Sequence, residues 1–330
     1  MRYLDVCAGI GGFRLGLEQL SFECVGTVEI NGRSITTYNE NFGTNHAPTD
    51  IFELKEENVK DHDILCAGFP CQSFSIAGKG EGFLDPRGTI IFEVLKIINA
   101  KKPKFVFLEN VKNLVSHQKG KTLKTIYGLI NDAGYVSCHK IINSKDFGVP
   151  QSRERVFIVA IRKDIYNLDF CFPSGKANKI CFNDIISHGD YSIPISKKWN
   201  EYIDLYTGIK SEEELSFDVP KTRKKIERIS KNVNLNDCIL TMRSSGIRAY
   251  PTTGILPTLA VSISGGGAMI PIYTKERRHL SLLELKRIMG FPDSYKFTVS
   301  RTDAIKQLAN SVCPSIIYAI GKEILNYNEM

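Results

Sequence analysis

Three short stretches of the chain carry side chains suited to covalent and acid–base chemistry. The first is Pro70-Cys71-Gln72-Ser73. It follows Ile64 to Ala67, an apolar run ended by Gly68 and Pro70, which reads as a buried strand running out into a loop. Pro70 fixes its own φ and biases Phe69 toward extended backbone, so the approach to the Cys71 thiol is held stiffly. A cysteine at a strand end is most often plain packing, and only its partners raise it to a nucleophile. The second stretch is Glu109-Asn110-Val111. The near-continuous apolar run Phe105 to Leu108 delivers it to the same sheet edge, and a carboxyl beside a loop thiol is an acid/base candidate. The third is Gln151-Ser152-Arg153-Glu154-Arg155, leading into a strand over Val156 to Ile161. Alternation puts Arg153 and Arg155 on one face, where both can address an anion or a base.

These groups need a sheet behind them, and the N-terminal third supplies one. Arg2 to Val6 reads as a first strand, followed by Cys7-Ala8-Gly9-Ile10-Gly11-Gly12 and a helix through Phe13, Leu17 and Leu20. A glycine-rich turn between strand and helix lets a ligand approach the backbone. It is not the dinucleotide fingerprint, whose third glycine would stand where Arg14 stands. Glu23 to Val28 forms a second strand ending at Glu29. An acid in that place accepts both hydroxyls of a ribose. Asp50-Ile51 follows at an expected third strand end, offering a polar and an apolar contact to a nucleobase. The turn, Glu29 and Asp50 together favour an adenosine-containing cofactor. Gly78, Gly80, Gly82 and Gly88 mark the long segment after Cys71 as a lid. Helices are expected from Ile90 to Ile98 and from Thr122 to Ala133.

The 330 residues carry a net charge of +7, which permits a polyanionic partner without establishing one. Nine cysteines occur, but no CxxC pair of metal or redox spacing, no signal peptide and no membrane-spanning run. A cytoplasmic protein with reduced thiols, no membrane attachment and no metal is the expectation.

After about Phe170 the apolar runs shorten, helical periodicity fades, and β-branched and turn residues dominate to about Ile270. This stretch reads as a separate small domain of irregular strands. It contains a dense basic run from Lys221 to Lys231. It also holds Thr241 to Arg248, a polar, glycine-broken loop of the kind that reads base edges. Such basic runs are usually solvated faces.

Taken together, these residues resemble the DNA (cytosine-5)-methyltransferase family over nearly the whole chain. Asp5-Val6-Cys7-Ala8-Gly9-Ile10-Gly11-Gly12-Phe13 matches its cofactor turn, Pro70-Cys71-Gln72 its nucleophile, and Glu109-Asn110-Val111 its acidic motif. Gln151, Arg153 and Arg155 fit its Gln-x-Arg-x-Arg element. Arg287 to Pro292 and Gln307 to Val312 fit its last two blocks, with Thr258-Leu259 as the characteristic pair ending the small domain. Cys7 stands where an aromatic ring commonly lies over the cofactor, and Ala309 where glycine is usual.

The resemblance implies an α/β fold: a Rossmann-like S-adenosylmethionine-dependent methyltransferase sheet with a second, smaller, mostly β or irregular target-recognition domain. The catalytic domain would span 1–175, completed by 300–330, and the recognition domain and hinge 176–299. Cys71, Glu109, Arg153 and Arg155 would carry the chemistry. S-adenosylmethionine would be held by Cys7, Ala8, Gly9, Gly11, Gly12, Glu29, Ile30, Asp50, Ile51, Gly68, Pro70, Ile90, Asn310 and Val312. Ser73, Arg87, Ser245, Arg248 and Thr258 would touch double-stranded DNA. A monomeric bacterial enzyme is implied, associated with the nucleoid through DNA and often paired with a restriction endonuclease for the same site. The alternatives are an RNA cytosine methyltransferase on the same fold, a nicotinamide-dependent oxidoreductase, and a DNA-binding protein that has lost catalysis. The Cys71, Glu109 and Arg155 set speaks against the last two.

Overall fold

The computed structural model describes residues 1–69, 90–175, 180–187, 193–243, 246–259 and 271–330. Cys71, Pro70, Ser73, Arg87 and Ser245 lie outside these residues.

Strands β1 (Arg2–Val6), β2 (Glu23–Val28), β3 (Ile64–Gly68), β4 (Phe105–Val111), β5 (Tyr135–Asn143) and β7 (Glu154–Arg162) form one sheet, in the order β2-β1-β3-β4-β7-β5. The pairings from β2 through β4 are parallel, and β7 runs antiparallel to both β4 and β5. The runs in β3 and β4 are continuous because both faces are covered. On one face Leu65, Val106 and Leu108 pack under α3 (Ile90–Lys101) and α4 (Lys121–Asp132). On the other, Tyr3, Cys66 and Phe107 pack under α1 (Gly12–Leu17) and α8 (Pro314–Asn328). A Cβ on Gly16 of α1 would lie 2.7 Å from the Cβ of Ile317 on α8, so glycine permits this close approach. The C-terminal helix thus covers the sheet that the N-terminus begins.

Asp50 and Ile51 do not end a strand. The Thr49 amide donates to the Glu29 carbonyl, and the Asp50 carboxylate accepts from the Phe52 amide at 3.0 Å. Local side-chain bonding has replaced a strand ladder here.

A second sheet is built from β8 (Ile193–Pro194), β9 (Ile226–Arg228), β10 (Cys238–Arg243), β11 (Gly246–Pro251), β13 (Ile272–Tyr273) and β14 (Arg278–His279), in the order β8-β14-β13-β10-β11-β9. Short strands were expected in this region. Two details differ from the sequence reading. Residues 241–243 and 246–248 lie on the antiparallel strands β10 and β11, with Thr241 opposite Arg248, where a loop was expected. A regular helix, α5 (Lys197–Thr207), also stands in this region, opened by Ser196 accepting from the Trp199 amide and closed by Gly208 at φ 76°.

The two sheets meet along β6 (Gln151–Ser152) and β12 (Leu256–Pro257), which pair in parallel, and along α2 (Gly32–Phe42), α6 (Leu282–Met289) and α7 (Arg301–Asn310). One buried cluster joins Ile10 of the glycine turn to Tyr250, Tyr273, Leu285 and Leu308.

Candidate active site

The C-terminal ends of β1, β3 and β4 open onto a cleft of about 700 Å³, within the size range of small-molecule sites. Its lining includes Cys7, Ala8, Gly9 and Gly12 of the first turn, Gly68, Glu109, and Asn310 to Val312. Gly9 has φ 55°, and a Cβ there would meet nothing within 4 Å, so this backbone faces open space. A Cβ on Gly12 would instead strike the Ser311 hydroxyl at 2.6 Å, which is why the α7–α8 connection can close against the turn.

Glu29 fixes this turn. Its two carboxylate oxygens accept from the Gly9 and Asn31 amides, each at 2.8 Å. Next to it Ile30 is an exposed apolar side chain, 63% accessible. Gly11 serves packing, since a Cβ there would overlap the Phe42 ring. Ile51 is buried in the main core, and Ile90 packs against the same cluster. The cleft also takes in Asn31, Arg33, Asp303 and Lys306, which sequence reading did not single out. The helical spacing of 303, 306 and 310 was the available signal. Arg33 Nη1 pairs with Asp303 at 2.8 Å and ties α2 to α7. The glycine cradle, the acid after β2 and the cleft volume fit S-adenosylmethionine.

On the inner side of the cleft stands the candidate acid–base group. Glu109 is buried, and its Oε1 lies 3.1 Å from Arg155 Nε. The register places Glu109 opposite Gly68 on β3 and Phe157 on β7, so the sheet itself sets this pair. Burial pushes the Glu109 carboxyl above the usual carboxylate range, while Arg155 and then Arg153 pull it back. Burial likewise lowers Arg155, with Glu109 opposing. Arg153 is buried; desolvation, with Arg155 close by, pushes it down to about 10. It donates from Nη2 to the Ser311 carbonyl at 2.8 Å. Among the described residues its Nε and Nη1 have no partner. Unpaired buried donors are costly, which suits a site awaiting an acceptor.

Cys71 lies outside the described residues, but its point of departure does not. Buried Asn110 donates from Nδ2 to the Phe69 carbonyl at 2.8 Å. The residue next to Glu109 thereby clamps the chain two positions before Cys71. This link was hidden in the sequence, where Asn110 was only part of a motif.

Gln151 connects the two sheets. Fully buried, it donates from Nε2 to the Ile288 carbonyl at 3.2 Å and accepts at Oε1 from the Leu259 amide at 3.3 Å. The Thr258 hydroxyl donates to the Ser152 carbonyl at 2.8 Å. Thr258 therefore stands at this junction. Arg248, expected in a loop, is on β11, where its Nε bonds Glu227 of β9 at 2.6 Å. In the basic run, Lys224 pairs with Glu212.

Among the described residues no group of side chains could hold a metal ion, no helix is long and apolar enough to cross a membrane, and the cysteines are free thiols.

The family model for C-5 cytosine-specific DNA methylases matches residues 1–326. The chain is 38% identical over 328 residues to the Type II methyltransferase M.HhaI of Haemophilus parahaemolyticus, covering 98% of this chain and 94% of that protein. It is 35% identical over 327 residues to M.NlaX of Neisseria lactamica, covering 98% and 96%. Among solved structures, a DNMT2 mutant of Spodoptera frugiperda aligns with a TM-score of 0.64 at 19% identity, covering 100% of this chain and 99% of that one. The S. pombe Dnmt2 methyltransferase aligns with a TM-score of 0.64 at 17% identity over 99% of each chain. These two show the shared fold. The chain belongs to the C-5 cytosine-specific DNA methylase family and is a DNA (cytosine-5)-methyltransferase.

Proposed function

We propose that the protein methylates carbon 5 of one cytosine within a specific double-stranded DNA sequence, by covalent addition of Cys71 to carbon 6. The observation that carries this reading is buried Glu109, paired with Arg155 and lining, with Gly68, the same cleft as the glycine turn. Carbon 5 of cytosine is too weak a nucleophile to take a methyl group directly. Addition of the Cys71 thiolate at carbon 6 breaks the 5,6 double bond and moves electron density onto carbon 5. Glu109 donates a proton to ring nitrogen 3 and so offsets the negative charge that addition places on the ring. A carboxyl whose pKa is raised by burial holds that proton more readily. Arg155 holds the ring carbonyl oxygen, with Arg153 behind it. When bound, S-adenosylmethionine supplies an electrophilic methyl group on a sulfonium sulfur. Loss of the carbon-5 proton to water then restores the 5,6 double bond as Cys71 leaves as thiolate, and the proton on nitrogen 3 returns to Glu109.

Chemistry on carbons 5 and 6 of a cytosine needs access that a base stacked in a duplex does not give, so the target nucleotide flips out of the helix to enter the cleft. The second sheet, within the proposed recognition region 176–299, selects the sequence. Relatives named Type II methyltransferases support a modification role alongside a nuclease of the same specificity. Labelled methyl transfer to matched DNA and RNA, followed by bisulfite sequencing of modified DNA, tests the proposal. It predicts label in duplex DNA at one cytosine in a fixed context. Label confined to RNA would overturn the choice of substrate.

A further inference from the structure

We infer that Glu227 is a specificity-determining residue, which turns Arg248 toward a guanine on the reading face of the second sheet. This rests on the DNA-methylating function proposed above. Between Lys221 and Lys231 the chain carries Lys221, Arg223, Lys224, Lys225, Arg228 and Lys231, and one acid, Glu227. A carboxylate inside a phosphate-seeking run repels the polyanion it faces, so it weakens DNA binding unless it has another role.

The geometry supplies that role. Strands β9 and β11 pair in parallel with Glu227 directly beside Arg248. Oε2 of Glu227 accepts from Nε of Arg248 at 2.6 Å, a charge-assisted bond. This bond uses Nε, whereas a guanine edge takes two donors, at O6 and N7, from the outer nitrogens of an arginine. Holding Nε fixes the plane of the guanidinium and hence the direction of the outer pair. The face is also the right one. Ile247 and Ala249 point into the core of the second sheet. Tyr250 belongs to the cluster that includes Ile10 of the cofactor turn. Arg248, two residues from Tyr250, shares its face and looks toward the catalytic side. The side chains of Arg248 and Glu227 are 30% and 57% exposed, so DNA can reach them and substitution spares the fold.

The experiment is a methylation profile over a randomised duplex library for the wild type, Glu227→Gln and Arg248→Ala. The inference expects both variants to relax preference at the same single base pair, Glu227→Gln by about tenfold, within the range that one bidentate contact commands. If Glu227→Gln keeps the wild-type profile while Arg248→Ala relaxes it, Glu227 is only a repulsive charge and the inference fails. An unaltered profile for Arg248→Ala overturns it as well, by removing the reader that Glu227 would orient. A wild type that methylates no duplex at all would instead overturn the underlying function.

Discussion

In each of the two sheets a Glu–Arg pair bridges neighbouring strands, and burial gives these two pairs opposite characters. Glu109 and Arg155 lie between β4 and β7 with side chains 11% and 17% exposed. Glu227 and Arg248 lie between β9 and β11 at 57% and 30%. The separation is shorter in the exposed pair, 2.6 Å against 3.1 Å, yet distance is not what distinguishes them. In the buried pair desolvation of the carboxylate outweighs the attraction of its partner, and the acid is driven toward its protonated form. In the exposed pair water screens both charges, and the bond contributes direction more than energy. On the proposed function, the same two residue types serve as a proton donor in one sheet and a positioned reader in the other.

The largest expected effect breaks the buried pair. Glu109→Gln should lower kcat by about 10²–10⁴, the range of a lost acid/base group, with the sequence profile unchanged. Stopped turnover kinetics with the wild-type target would check it. A carboxyl carbon NMR titration sharpens the point: the Glu109 resonance should titrate above the usual carboxylate range. It should move higher still in Arg155→Ala, because the Arg155 cation is the first of the influences that favour ionisation.

A third carboxyl extends the comparison by having no bonded partner. Asp5, on β1, is fully buried, and neither oxygen has a hydrogen-bond partner among the described residues. Desolvation raises it from 3.8 to about 8. A group raised in the folded state favours folding below its ordinary pKa, and that contribution is lost as pH climbs through the folded value. Thermal unfolding should therefore show stability falling between those two values. Asp5→Asn should flatten the fall.

Gln151 joins the two regions, so its loss tests whether they act together. Gln151→Leu removes buried bonds to Ile288 and Leu259 and should cost about 1–3 kcal/mol of stability, read by denaturant unfolding. If the junction positions Arg153 and Arg155, kcat should fall more than KM rises. The smallest effect belongs to the basic run. Replacing Lys224 and Lys225 by Ala should reduce the salt slope of DNA binding by about 1 for each phosphate no longer neutralised, with base preference unchanged.

The inner strands of the catalytic sheet were legible because β3 and β4 are covered on both faces, and Arg2–Val6 and Glu23–Val28 end where the sequence placed them. The edge strand β5, exposed along its middle, carries no such apolar run and was not anticipated. The second sheet was less legible. Helix α5 buries Tyr202 and Ile203 with Trp199 and Tyr206 packed beside them, aromatic residues that mimic strand composition. Its cap signals, Ser196 and Gly208, do stand in the sequence. Residues 241–243 and 246–248 read as a loop because the polar face of a strand pair shows no apolar run. At the site, residue types announced Glu109, Arg153 and Arg155. The clamp from Asn110 to Phe69 and the Glu227–Arg248 bond join residues distant in sequence, and no spacing rule contains them.

The most direct test of the central claim is covalent trapping. Duplex DNA carrying 5-fluorocytosine at the mapped target is incubated with S-adenosylmethionine and the protein, then denatured. Fluorine cannot leave as a cation, so the wild type should remain joined to DNA through Cys71, and Cys71→Ser should give no adduct. An adduct that persists in Cys71→Ser, or a wild type that methylates cytosine yet never traps, would contradict the account.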